Sequence, residues 1–269
     1  MRYRTKSGWL GQVYSLARGI LRLESRYPLV RLTFFMMLLI GCNHEEKETI
    51  PTFPLLDAPT SLQTLAQRAR LVRTLSGEGL ITLTKPTGES VRLDAAIVMR
   101  PPNEARVRAW KFGRAMIDLT VTTPGVWAVT PDDPERKEQL KSAGMNAGKL
   151  AKTWSVLSGG FFSDSNLSAE VRGSKLIVRR QITAEPTVVC VVDRATLTPR
   201  KYILLDDVGK ERFSLTLSRY RQFGEIAWPM RLIALSEGGT VEVELREVEI
   251  NPELAENAFV PPRRAEKLP

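Results

Sequence analysis

Histidine is almost missing from this chain: 269 residues hold only His44, together with two cysteines, Cys42 and Cys190. A Ser-His-Asp or Cys-His catalytic site needs a histidine inside the fold, and a zinc site needs a cluster of Cys and His. Neither set exists here, and no enzyme, metal or cofactor is expected. The segment Gly144-Met145-Asn146-Ala147-Gly148-Lys149-Leu150 is one residue short of a phosphate loop between its glycines. It also has leucine where Ser or Thr would meet magnesium. The carboxylate pairs Asp132-Asp133 and Asp206-Asp207 stand in turn-like surroundings and read as solvated. Acidic residues are scarce at the start: up to Gly41 there is one, Glu24, against seven basic residues from Arg2 to Arg31.

That basic leader runs into Leu32-Thr33-Phe34-Phe35-Met36-Met37-Leu38-Leu39-Ile40, too short an apolar run for the about 20 residues a bilayer requires. A basic stretch, a short apolar core and a small residue at the cut form the layout of a secretory signal. The junction Leu39-Ile40-Gly41-Cys42 resembles the bacterial lipobox. That resemblance implies cleavage between Gly41 and Cys42 and lipid, including palmitate, on Cys42. The leader is longer than usual, and residues 9–32 have weak amphipathic character to which no function is assigned.

Removing residues 1–41 changes the charge. Seven of the 39 basic and one of the 30 acidic residues go with the leader, leaving 32 and 29, a net of +3 in place of +9. A nucleic-acid partner, suggested by the high isoelectric point, is therefore not expected. With Cys42 lipidated, Cys190 is the one thiol left and no internal disulfide can form. Cys190 lies in Val188-Val189-Cys190-Val191-Val192, where it reads as a small hydrophobe. Residues 42–59 are polar and then punctuated by Pro51, Pro54 and Pro59, which reads as a lipidated tether that does not pack.

A folded domain is expected over 60–269. Thr60 or Ser61 can cap a helix whose stripe is Leu62, Leu65, Ala66, Ala69 and Val72. From Leu75 the apolar period becomes two, with a turn at Lys85-Pro86-Thr87-Gly88 and a strand burying Leu93, Ala95, Ile97 and Met99. Further strands are expected at 104–112, 115–121 and 125–130. A second helix, 132–157, carries Trp154 and ends at Gly159-Gly160. Strands resume at 168–172, 175–183, 187–193, 200–206, 211–220, 230–235 and 240–250. The fold class is mainly β with covering helices. A strongly curved, unclosed antiparallel sheet of about 11 strands would enclose an apolar cavity.

The order helix, meander, helix, meander resembles the lipoprotein-localisation superfamily, LolA and LolB. Local phrases strengthen the likeness. Asp193-Arg194-Ala195-Thr196-Leu197-Thr198-Pro199 is similar to its D-x-x-T-x-x-P hairpin and is followed by Asp206-Asp207-Val208-Gly209-Lys210 and Ser218-Arg219-Tyr220. Trp228-Pro229-Met230-Arg231-Leu232 and the ending Val248-Glu249-Ile250-Asn251-Pro252 are similar to its later strands.

The resemblance implies a cavity for acyl chains of a lipoprotein or lipid, which lose about 0.8 kcal/mol of favourable burial per CH2 in water. Its candidate lining here is Trp110, Trp127, Trp154, Phe161, Phe162, Met99, Met116 and Trp228, with Trp154 and Phe161-Phe162 as a lid. An open cavity of several hundred Å3 fits transport on that chemistry. A filled interior fits a non-catalytic lipid-anchored scaffold for an envelope partner. Lipidation at Cys42 implies the LolB-like side. Asn43, where a retention signal would have Asp, favours the outer membrane facing the periplasm. LolB carries an exposed leucine on a loop between strands, and the corresponding tip here is Phe112 of Lys111-Phe112-Gly113-Arg114.

Overall fold

Alternation of apolar and polar residues over 75–129 and 167–250 makes strands that bury one face, and they assemble into a single antiparallel sheet. The computed structural model describes residues 50–129, 160–180 and 186–268. The expected signal peptide, Gly41, Cys42, Asn43, His44, Asp132-Asp133, the segment 144–150 and the expected second helix with Trp154 lie outside the described residues.

Helix α1 spans Ala58–Leu71. Its cap is Asp57, not Thr60 or Ser61: Asp57 is extended and its Oδ1 accepts the Thr60 backbone N–H at 2.8 Å. A carboxylate satisfies an orphan amide of the first turn, and Pro59 is tolerated there because its missing N–H has no helical partner. The preceding residues 50–56 were expected to stand clear of the fold, but they pack. Ile50 and Leu56 join an apolar cluster, the Phe53 N–H donates to Ala195 O at 2.7 Å, and Arg194 donates to Leu56 O at 2.9 Å. Prolines keep this segment extended, and a turn of the sheet satisfies its backbone.

The strands are β1 Leu75–Thr84, β2 Ser90–Arg100, β3 Glu104–Lys111, β4 Arg114–Thr122, β5 Gly125–Val129, β6 Leu167–Arg172, β7 Lys175–Arg180, β8 Thr187–Asp193, β9 Thr198–Leu205, β10 Glu211–Phe223, β11 Ile226–Ser236, β12 Gly239–Ile250 and β13 Glu266–Lys267. Among the described residues thirteen strands replace the expected eleven or so, in the order β13-β5-β4-β3-β2-β1-β12-β11-β10-β9-β8-β7-β6. The ends β13 and β6 have one neighbour each, so the sheet is unclosed, as expected. Two meanders, β1–β5 and β6–β12, are joined by the pairing of β1 with β12.

That seam contains a bulge. Glu78 faces Glu247 while Gly79 faces Leu245, leaving Arg246 unopposed. A bulge bends its strand and steps the side-chain parity, so Val243 and Leu245 before it and Val248 and Ile250 after it all reach the same apolar cluster. Gly79 is the residue that permits the approach: a Cβ there would sit 2.0 Å from the Glu244 carbonyl oxygen. Asn251, at φ +60°, clamps the corner. Its Oδ1 accepts the Arg73 N–H at 2.7 Å and its Nδ2 donates to Leu71 O at 3.0 Å, closing the end of α1. Asn tolerates this left-handed conformation better than most residues.

The inner face, on which α1 packs, carries two clusters. One lies under β1–β5 and includes Leu75, Leu93, Ile97, Val107 and Leu119. The other lies under β7–β11 with α1 and a 3-10 turn at Gly160–Ser163, and includes Leu65, Phe161, Phe162, Leu176 and Tyr202. Strand β11 begins at Ile226 rather than 230, with Pro229 inside it. On the β12 side no ladder is broken by the proline, because β12 pairs with β11 only from Arg231 onward.

Gly79→Ala should destabilise the chain by about 3 kcal/mol, the upper range for overpacking. Gly77→Ala, whose Cβ would meet the Leu245 side chain at 3.3 Å, should cost under about 1 kcal/mol. Urea unfolding of the two variants measures the difference; equal midpoints would refute the close approach at Gly79.

Candidate apolar binding site

A hollow of about 110 Å3 lies between α1 and strands β9–β11. α1 contributes Leu65, Arg68, Ala69 and Val72; Leu197, Pro199 and Tyr202 form one wall, and Leu217, Tyr220 and Trp228 another. A water-sized group takes about 30 Å3, so the hollow accepts the last few carbons of a chain. It is smaller than the several hundred Å3 expected for a whole acyl chain, because Phe162, Tyr202, Tyr220 and Trp228 project into it.

Local chemistry sets these walls. In the β8–β9 turn, Asp193 Oδ1 accepts both the backbone N–H and the hydroxyl of Thr196 at 2.9 Å. Leu197 takes φ +50° and is buried at the turn. This is the physical content of the D-x-x-T-x-x-P phrase: a side-chain-closed turn that aims Leu197 and Pro199 at the hollow. In β10, Arg219 takes φ +54° and shifts the parity, so Tyr220 joins Leu215 and Leu217 on the inner face. The Tyr220 hydroxyl donates to Pro199 O, tying β10 to the same turn.

Two polar groups stand out in this apolar setting. Trp228 is 8% exposed and its indole N–H has no hydrogen-bond partner among the described residues; leaving such a donor buried costs about 1–3 kcal/mol. Arg68 is half-buried, and desolvation lowers its pKa. Its guanidinium donates to Thr196 O at 3.3 Å and lies 4.1 Å over the Phe53 ring. No carboxylate pairs with it among the described residues. An adjoining depression is lined by Arg70, Arg73 and Glu225 and shares Ile226 with the hollow.

Only part of the expected lining converges here. Trp228 and Phe162 line the hollow. Phe161 is buried beneath it, edge-on to Phe162 at 5.2 Å and to Tyr202 at 5.5 Å. Met99 is buried in the other cluster and Met116 packs against it. Trp110 and Trp127 must be reassigned to the outer face. Trp110 is cross-strand from exposed Asp94, and Trp127 from Thr120, whereas their neighbours Ala109 and Ala128 point inward. The two-residue period that turns Ala109 and Ala128 inward puts these indoles on the wrong side for the cavity. Trp127 instead meets the Lys267 ammonium at 5.8 Å. Phe112 is 90% exposed at the β3–β4 tip with φ +52°.

Sequence reasoning passed over Arg68, Leu197, Leu217, Tyr202 and Tyr220. Arg68 had a signal: on a helix it falls inside the stripe of Leu65, Ala69 and Val72. The two tyrosines had none, since their orientation depends on the Arg219 irregularity and on strand pairing.

Cys190 is fully buried opposite Tyr202. Burial pushes its thiol well above the ordinary pKa, with the Tyr202 hydrogen bond acting weakly the other way; such a thiol is inert. Asp206 is a turn residue: the Lys210 backbone N–H, aided by Arg212, holds its carboxyl below the usual range. No group of three or more metal-binding side chains occurs among the described residues. No helix among them is long and apolar enough to cross a membrane.

No protein-family model matches the chain, and no curated protein matches its sequence. Solved structures do match its shape. A LolA superfamily protein from Nitrosomonas europaea aligns at TM-score 0.52 and 11% identity, over 74% of this chain and 97% of that one. A DUF1329 family protein from Desulfovibrio piger aligns at 0.56 and 12%, over 76% and 98%. An outer membrane lipoprotein-sorting domain from Vibrio parahaemolyticus aligns at 0.50 and 13%, over 76% and 97%. At these identities the likeness establishes the fold: the LolA-like unclosed sheet expected from the sequence phrases is the one found.

Proposed function

We propose that this protein of LolA-like fold is a lipid-anchored envelope protein that receives the end of an acyl chain, from a lipoprotein or a lipid, in the hollow between α1 and β9–β11. The observation that carries this reading is the hollow itself. An apolar occupant of this half-open space would exchange water against the apolar walls for packing contacts. Its lining is almost wholly hydrocarbon, the environment an acyl chain requires. The sorting protein from Vibrio parahaemolyticus with the same fold supports a role in lipoprotein localisation.

Anchoring is assigned to Cys42, with the signal removed after Gly41 and Asn43 directing the protein to the periplasmic face of the outer membrane. Phe112 is assigned the membrane-touching tip, because an exposed aromatic flanked by Lys111 and Arg114 suits an anionic lipid surface. Trp154 is assigned to the lid over the cavity. A second reading, a lipid-anchored scaffold with a filled core, draws on the β1–β5 half, whose inner face is packed with its own side chains. Non-catalytic binding is common to both.

Palmitate labelling should disappear in Cys42→Ser; a label that persists would end the lipoprotein assignment. Lipid mass spectrometry of the protein purified from membranes should detect a bound acyl species. Ala69→Trp, which fills the hollow from the helix side, should abolish it while thermal unfolding stays within a few degrees. Absence of acyl species from the unaltered protein would favour the scaffold. Phe112→Ser should slow delivery of the acyl species to phosphatidylglycerol vesicles several-fold without releasing the anchor, and an unchanged rate removes Phe112 from the mechanism.

A further inference from the structure

The hollow is apolar in its depth but not at its α1 wall. Arg68 occupies a position of α1 between Leu65 and Ala69 that the helical period assigns to the buried stripe. A cation held among Leu197, Pro199 and Ile226, with one backbone carbonyl and one aromatic ring for company, is an uncompensated charge. The lowered pKa of Arg68 has burial as its cause, with no neighbouring acid offsetting it. Trp228 lines the same hollow, but its indole N–H is shut off from the space there. A guanidinium donates and does not accept, so the ligand atom that satisfies Arg68 is an acceptor and, facing a cation, an anion. The adjoining depression carries two cations, Arg70 and Arg73, against the single carboxylate of Glu225, which extends the same bias outward.

We infer that the hollow selects amphiphiles with an anionic head, a carboxylate or a phosphate, and that Arg68 binds that head while the carbons next to it enter between α1 and the sheet. This rests on the acyl-binding reading above and specifies its ligand class. A neutral ester of equal chain length would leave the guanidinium without an anion and bind less well. The backbone contact of Arg68 to Thr196 O stays compatible with the role, because a guanidinium presents five N–H donors in a planar fork.

The test uses the full-length protein in its own membranes, photolabelled with diazirine palmitic acid or with its methyl ester, and the labelled peptides are located by mass spectrometry. The acid should label peptides of the hollow about tenfold more than the ester, the factor that 1.4 kcal/mol provides. Arg68→Gln should bring the ratio close to one with ester labelling unchanged, and Arg68→Lys should restore part of it. Comparing diazirine lysophosphatidylglycerol with lysophosphatidylcholine then separates a phosphate head from a carboxylate. Equal labelling by acid and ester in the unaltered protein overturns this inference and leaves acyl binding standing. A ratio that persists in Arg68→Gln also overturns it. No labelling by either probe removes acyl binding itself.

Discussion

The pairing of β1 with β12 is the contact on which the remaining architecture depends. It joins Leu75 to Ile250 and Thr84 to Thr240, so the chain closes a loop of well over a hundred residues to make it. Loop closure of that length is only slowly more costly with size, and ten paired positions reward it. Without this seam there would be two separate meanders, each with an unprotected edge. With it, one sheet carries a continuous apolar face, and Val243 and Leu245 belong to both clusters. The bulge opposite Gly79 keeps inward residues inward on either side of it, at the expense of a position where only glycine fits.

α1 is placed by the same seam. Asn251 follows β12 directly and holds both the last carbonyl of the helix and the first amides after it, so the helix leaves the corner at a defined angle. From there its stripe lies over β9–β11. The helix is supported at its start by the Asp57 cap and by residues 50–56 packed on the β8–β9 turn. The hollow is the space that these two supports leave between helix and sheet. Its walls come from four elements, but its chemistry turns on three features: a side-chain-closed turn at Asp193, a parity shift at Arg219 and a charge carried inside the apolar stripe at Arg68.

Much of this was legible because strand periodicity is a local property. The face that buries Leu93, Ala95, Ile97 and Met99 follows from alternation alone, and the turn at residues 85–88 from its proline and glycine. The helix was legible as a stripe, while its cap was misplaced: Thr60 and Ser61 are good capping residues, and Asp57 is equally good and lies before Pro59, which favours the first turn. Residues 50–56 looked unpacked because proline and polarity describe a chain without partners, and their partner is a turn some 140 residues away. The aromatic residues were the least legible. Trp110 and Trp127 share a residue type with Trp228, whereas the sheet sorts by face: alternation sets them opposite Ala109 and Ala128, and the irregular φ of Arg219 sets Tyr220 inward.

The amino-acid sequence by itself determined the fold class and the antiparallel meanders. These depend on composition and on neighbours two to four residues apart, and such information is complete in one dimension. The tertiary structure alone decided that the sheet has thirteen strands joined at β1–β12. It also decided that the hollow is about 110 Å3 rather than several hundred, and that Arg68 and Trp228 share it. Those outcomes depend on which distant strands pair and where their register slips. One residue of slip exchanges the two faces of a strand, and no local pattern records it.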